Sequence, residues 1–335
     1  MINLGIVGTG WISGSFADAC KLTGRYRISA VCSRNVAQAE IFGKKYKAGL
    51  FCDDIHILAE SGAVDAVYIA LPNALHYEPC MTVLRAGKHV IVEKPAFSNI
   101  AQTREAFSLA RKNGVLLLEA IRSIHEVNHR AVKEAISHIG QICGANLTYM
   151  KRSPRYDLVL AGEEPNIFTL LFSGGALMDL GVYLIYDAVD WFGLPTNAVY
   201  YCQKARTGVD TGGVVLLRYP DFDVELNFSK ICNSRMVNEI RSRDRSIILD
   251  AAQNIRSIRL IDSDQNETEL AQSPKEHWME DEALCFASLI EGESAWTSYE
   301  SLCNLSHDVH TLMTGIRLDA GIVFPADSPD SASTG

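Results

Sequence analysis

The sequence predicts an α/β chain in two domains: a doubly wound parallel sheet over residues 1–122, then an α+β domain over 123–324 with one large, mostly antiparallel open sheet. Residues 325–335, PADSPDSASTG, read as a polar, disordered tail. Three observations carry this. Short apolar runs alternate with helical patterns through the first third, as parallel βαβ units do. After Arg122 the alternation stops, and strand-like runs follow one another across short turns such as Pro220-Asp221. A length of 335 residues is enough for two hydrophobic cores.

In order, strands are expected at 2–7, 27–32, 50–51, 65–71, 89–92 and 115–118, with helices at 11–22, 36–46, 54–60, 76–85 and 101–112 between them. The strands are continuously apolar rather than alternating, which suits a parallel sheet covered on both faces. Beyond them come a helix at 127–137 and strands at 142–150, 198–201, 214–219, 224–229, 237–243, 246–250 and 255–261. Helices return at 281–290 and 299–318.

Composition narrows the function classes. Apolar residues are 47% and charged residues 21%, with a net charge of −9 and no dense Lys/Arg run. Nucleic acid and anionic membrane need a positive footprint, so neither is expected as a main partner. Nine scattered cysteines without Cys-x-x-Cys or zinc-finger spacing point to a reducing compartment and no structural metal. Met1 leads straight into a strand rather than a secretory leader, and no stretch reads as a membrane span, so the expected location is the cytoplasm.

The first strand runs into Gly8-Thr9-Gly10-Trp11-Ile12-Ser13, which opens a helix. Gly8 permits the tight turn, Gly10 lets the backbone approach a pyrophosphate, and Ser13 is small enough for close helix–strand packing. Between a strand and a helix this is a Rossmann dinucleotide loop. The second strand ends in Ser33-Arg34 where an NAD site usually places an acid, so a 2′-phosphate and hence NADP is expected, with NAD as the alternative. Leu71, Pro72 and Asn73 end the fourth strand at the ligand-binding edge of such sheets, with Asn73 toward the nicotinamide; His76 reads as a helix-start residue beside it. The fifth strand ends in Glu93-Lys94-Pro95, which aims Lys94 at the nicotinamide position, where a cation polarises a substrate oxygen.

GTGWIS, ALPNALHY, AGKHVIVEKP and SGGALMDLGVYLIYDAV, in this order, resemble the Gfo/Idh/MocA family, named for glucose–fructose oxidoreductase and inositol dehydrogenase. The resemblance is clear to about residue 195 and diffuse afterwards. It implies a Rossmann domain, a C-terminal domain whose open sheet commonly mediates oligomerisation, and NAD(H) or NADP(H) chemistry without a catalytic metal. The family's catalytic lysine falls on Lys94. Many members carry His where this chain has Tyr183; Tyr there is similar to the glucose–fructose oxidoreductase branch and to the dimeric dihydrodiol dehydrogenases, which also act as NADP-dependent xylose dehydrogenases. By that resemblance Tyr183 is the general acid/base and Asp179 positions substrate. Four residues apart, the two share a helix face. A free phenol has a pKa of about 10, and an adjacent ammonium favours the phenolate. Read from the residues alone, the same pair packs and hydrogen-bonds inside a core helix.

Arg152, Arg155, Tyr156 and Asp157 follow a sheet strand and are candidates for the substrate mouth, and Glu119 and Arg122 end the sixth strand. His125 and His129 share a helix face at metal-binding spacing, but no carboxylate pattern completes such a site, so structural or solvent roles are expected. The reading that follows is an NADP(H)-dependent oxidoreductase, in homodimers or higher homo-oligomers, acting on a small sugar, cyclic polyol or diol. Two others stay open: a non-catalytic nucleotide-sensing regulator on the same fold, and a redox-neutral enzyme that keeps its cofactor.

Overall fold

The computed structural model describes residues 1–328. The chain divides into two compact units: Met1–Arg122 with Lys275–His307, and Ser123–Pro274 with the residues from Asp308 on.

The first unit opens with five βα repeats and a sixth strand: β1 (Ile2–Val7), α1 (Trp11–Thr23), β2 (Tyr26–Cys32), α2 (Val36–Lys45), β3 (Leu50–Cys52), α3 (Ile55–Glu60), β4 (Ala66–Ile69), α4 (Tyr77–Arg85), β5 (His89–Glu93), α5 (Ile100–Lys112) and β6 (Leu117–Ala120). The strands pair in parallel in the order β3-β2-β1-β4-β5-β6. This is the doubly wound order in which ligands bind at the carboxyl ends of the strands, where the strand order reverses between β1 and β4. Leu4, Ile6, Tyr68 and Ile91 fill one face of the sheet, and Val67, Ile69, Val90 and Val92 the other. Burial on both faces is why these strands carry continuous apolar runs. β6 begins two residues later than expected because the Val115 N–H closes the end of α5 on Ala110 O (3.1 Å).

The second unit contains α6 (Val127–His138), β7 (Ile142–Met150), α7 (Tyr156–Leu160), a π-helical turn (Leu177–Gly181) running into α8 (Val182–Phe192), and seven further strands: β8 (Asn197–Lys204), β9 (Asp210–Arg218), β10 (Asp223–Ser229), β11 (Asn238–Ser242), β12 (Ser246–Leu249), β13 (Ile258–Ile261) and β14 (Glu267–Glu269). Its eight-stranded sheet has the order β14-β13-β12-β11-β7-β10-β9-β8 and is antiparallel except between β7 and β10. Leu147, Val215, Leu226 and Ile240 are buried on one side, while Val199, Tyr201 and Val214 stay exposed. The sequence hid α7 and β14, both under six residues. β13 is shorter than expected because Asp250 Oδ1 takes the N–H groups of Arg256 and Ser257 (2.9 and 3.1 Å) away from the ladder.

Three expectations are corrected. Residues 275–307 do not belong with the second sheet. α9 (Glu280–Ile290) packs on α1 and buries Ala283, Cys285 and Phe286 in the same cluster as Phe16 and Tyr26, whose hydroxyl donates to Ala283 O (2.8 Å). α10 (Tyr299–Asp319) starts in the first unit and ends in the second. The tail is not structureless from 325: Pro325–Asp327 form a 3₁₀ turn, held by Asp327 on the buried Arg317 (2.8 Å). The rest of that expected tail, 329–335, lies outside the described residues. Finally, Leu170–Phe192 is long and apolar enough to cross a membrane by length and composition, with a mean hydropathy of 1.3, but 72% of that window is buried as the core of the second unit.

Candidate active site

Each unit carries one part of the expected site. In the first, the β1–α1 turn is shaped by Gly8, whose φ of +95° only glycine adopts freely; a Cβ there would run into Ala70 O. Gly10 forms the N-cap of α1 without a side-chain cap, and a Cβ would meet nothing within 4 Å. This 13-residue helix thus starts without a side-chain cap and with no acid in its first turn, a start that suits a phosphate. Ser13 is fully buried against the sheet, as its small size predicts.

A cleft of about 790 Å³ extends from this turn, lined by Gly8, Thr9, Ser33, Arg34, Leu71 and Pro72. All six are candidates in the sequence. Gln38 of α2 and Asp53 and Asp54 after β3 also line it, and neither segment carries a recognisable motif. Asp54 is occupied in capping α3, accepting from His56 N–H (2.8 Å). Asp53 is a second acid lining the cleft. An uncapped helix start, a glycine turn without room for a Cβ and an exposed guanidinium lining the same cleft fit a dinucleotide with a phosphorylated ribose.

Lys94 follows β5 directly, and its loop is held from two sides. On one, the buried His76 ring places Nδ1 3.2 Å from both Pro95 O and Ala96 O, and Nε2 2.8 Å from Leu71 O. Burial pushes this imidazole below its ordinary pKa, toward the neutral form. His76 is thus more than a helix start: it ties the β4 loop to the β5 loop. On the other side, Glu119 Oε1 accepts from Ala96 N–H (2.9 Å), and Oε2 accepts from the Ser306 hydroxyl. Glu119 lies within β6 rather than past its end. Glu93 is buried beneath Lys94, takes the Tyr68 hydroxyl, and has its carboxyl raised by burial. Arg122 lies over the Trp278 ring at 4.7 Å, and Trp278 stacks with Trp11 of the glycine loop. Asn73 sits in a 3₁₀ turn between β4 and α4.

In the second unit, Asp179 sits in the π turn and Tyr183 in the first turn of α8. The turn is anchored by a residue that the sequence did not disclose. Asp210, fully buried, accepts from Leu177 N–H and from the Tyr200 hydroxyl, each at 2.6 Å. Gly175, at φ +123°, is required because a Cβ would strike that carboxylate. Tyr183 is 9% exposed, with its ring edge-on to Tyr149 at 5.8 Å. The Asp179 side chain is 36% exposed and pairs with the ammonium of Lys230 (2.8 Å), itself 1% exposed. Lys230 stands 51 residues further along the chain, and nothing in its local sequence marks it.

Of the remaining candidates, Arg152 and Asp157 pair at 2.5 Å on the surface, Arg155 precedes α7, and Tyr156 packs on Phe168. His125 and His129 are both buried. Contrary to expectation, carboxylates do surround His129: Asp187 lies 3.3 Å from Nδ1 and Asp190 2.9 Å from Nε2. Burial alone would neutralise the imidazole, but the two acids overcome it and hold the group at about 9. The carboxylates thus favour the protonated imidazole, and among the described residues no group of three or more His, Cys, Asp or Glu side chains is placed to hold a metal ion.

Residues 2–121 match the model of the Gfo/Idh/MocA oxidoreductase family, NAD-binding Rossmann fold. The chain is 35% identical over 327 residues to the scyllo-inositol 2-dehydrogenase (NADP(+)) IolU of Bacillus subtilis, covering 98% of this chain and 99% of that one. It is 34% identical over 328 residues to the uncharacterized oxidoreductase YgjR of Escherichia coli, with the same coverage. Among solved structures, the 3-ketoreductase KijD10 from Actinomadura kijaniata, in complex with NADP and TDP-benzene, is similar with a TM-score of 0.81 at 25% identity, over 95% of this chain and 97% of that one.

Proposed function

The chain belongs to the Gfo/Idh/MocA family of NAD(P)-binding oxidoreductases, dehydrogenases and reductases of CH–OH and keto groups, and on that premise we propose that it interconverts a secondary alcohol and a ketone on a sugar, cyclic polyol or related diol with a preference for NADP(H). The observation that carries this reading is Lys94, at the carboxyl end of β5 in the unit that holds the dinucleotide cleft, with its loop clamped by His76 and Glu119. The name of the relative IolU supports an inositol-like substrate and NADP.

NADP, when bound, supplies the hydride acceptor or donor. Gly8, Thr9, Gly10, Trp11 and Ile12 would hold its pyrophosphate, Ser33 and Arg34 its 2′-phosphate, and Leu71, Pro72, Asn73, His76 and Glu93 would shape the nicotinamide end. The Lys94 ammonium stabilises negative charge building on the substrate oxygen, and the Tyr183 hydroxyl exchanges the proton with that oxygen. Asp179 accepts from a neighbouring substrate hydroxyl and fixes which carbon reacts. The second unit's open sheet pairs two copies, which light scattering tests: a strictly monomeric mass contradicts it.

The test of function is turnover followed by nicotinamide absorbance, with NADP⁺ or NAD⁺ and a panel of inositols, aldoses and cyclic diols. Faster turnover with NADP⁺ on a polyol is the expected result. Binding of NADPH without turnover on any of the panel would contradict it.

A further inference from the structure

We propose that Lys230 is a positioning residue for the substrate: its buried ammonium fixes the Asp179 carboxylate as an oriented anion that receives a substrate hydroxyl. This rests on the role given to Asp179 above.

Lysine is almost never fully buried unless its charge is matched. Lys230, one residue past β10, is 1% exposed. Its ammonium lies 2.8 Å from Asp179 Oδ2, donates to Ile167 O (3.2 Å), and sits 4.7 Å from the centre of the Phe168 ring. Its backbone is pinned as well. The Lys230 N–H donates to Thr211 O, and its carbonyl accepts from Ser153 N–H, each at 2.8 Å. The cation has nowhere to go, so it sets where the carboxylate must be.

The two partners differ in their surroundings. The cation is sealed in the core, while the Asp179 side chain is 36% exposed. Surface pairs of this unit, such as Arg218–Asp223, leave both partners exposed, at 61% and 42%. A pair that served packing alone would gain nothing from a buried charge, since apolar replacements of buried pairs are often neutral or stabilising. An internal cation behind an outward carboxylate is instead an arrangement for presenting an anion with little rotamer freedom. Asp179 also lies in a π turn, a local deformation of the helix often found at functional sites. A substrate misplaced by about 1 Å loses on the order of 100-fold in rate, which is the scale on which orienting one carboxylate acts.

The experiment uses the whole protein and the wild type's best substrate from the inositol, aldose and diol panel, with NADP⁺. Four variants are compared: Asp179→Asn, Lys230→Gln, Lys230→Arg, and the double Asp179→Asn/Lys230→Gln. Lys230→Gln is expected to raise substrate KM about 10- to 100-fold and to leave KM for NADP⁺ unchanged. Lys230→Arg, which keeps the charge, falls between it and wild type. The double variant matches Asp179→Asn alone, because Lys230 acts only through that carboxylate. A folded Lys230→Gln with a lowered Tm but wild-type substrate KM overturns the proposal. Should Lys230→Gln fail to fold, the charge-free double variant decides. Equality with Asp179→Asn upholds the link, and a further loss of about tenfold or more overturns it. Wild-type kinetics in Asp179→Asn would sink the role of Asp179 itself. An impaired Asp179→Asn beside a folded, unimpaired Lys230→Gln would sink only the link to Lys230.

Discussion

Replacing His129 by Gln should make the stability of the second unit lose its dependence on alkaline pH. The imidazole lies between Asp187 and Asp190 at 3.3 and 2.9 Å, with Lys133 on the far oxygen of Asp190 (2.6 Å) and the ring of Trp191 5.1 Å away. Burial works against its charge, and the two carboxylates override burial to hold the group up at about 9, against an ordinary 6.5. The neighbouring His125, driven down to about 3 by burial with help from the positive charges of His129 and Arg130, stays neutral throughout this range. A folded-state value above the unfolded one stabilises the fold fully below pH 6.5, and that contribution is lost as pH rises through about 9. At about 1.4 kcal/mol per pH unit, the gap between 6.5 and about 9 is worth about 3 kcal/mol. The assay is urea unfolding followed by tryptophan fluorescence, in which Trp191 reports this unit. At about pH 6 wild type should exceed His129→Gln by at least that amount, and by about 3 kcal/mol less at about pH 9.5. A stability gap of equal size at both pH values would refute the protonated triad.

Arg34→Ala should raise KM for NADP⁺ about 10- to 100-fold and change KM for NAD⁺ little, since only the 2′-phosphate would use a charge-assisted bond there; equal loss with both cofactors would contradict the assignment. Gly8→Ala should abolish measurable NADPH binding in a fluorescence titration while the second unit still unfolds normally, because a Cβ at +95° meets the Ala70 carbonyl. Tyr200→Phe removes one hydrogen bond from the buried Asp210 and should cost about 1–3 kcal/mol in urea unfolding; a loss below about 0.5 kcal/mol would show that Asp210 does not need that hydroxyl.

The first unit was largely legible because its signals are local. A strand of six residues, a glycine turn and a helix follow one another in the chain, and the apolar runs of β1, β4 and β5 record burial on both faces. Gly8 is legible for the same reason: its backbone constraint lies in the residue itself, whereas a Cβ at Gly10 would meet nothing within 4 Å. What stayed hidden depends on contacts between distant residues. α9 reads as an ordinary amphipathic helix, and only the packing of Phe286 and Ala283 around Phe16 and Tyr26 assigns it to the parallel sheet. Lys230 and Asp210 carry no local motif, and their meaning comes from Asp179 and Leu177, 51 and 33 residues away in the chain. Asp187 and Asp190 complete the His129 cluster from α8, an otherwise apolar helix whose two acids meet His129 only through tertiary packing.

In the proposed reaction Lys94 and Tyr183 carry out the proton and charge chemistry of an alcohol oxidation. The most direct measurement is kcat with NADP⁺ and the best polyol of the panel for wild type, Lys94→Ala and Tyr183→Phe, beside the NADPH dissociation constant of each. The expected result is a fall in kcat of about 10²- to 10⁴-fold in both variants, with NADPH binding within about threefold of wild type. Variants that bind NADPH normally and turn over at the wild-type rate would contradict it.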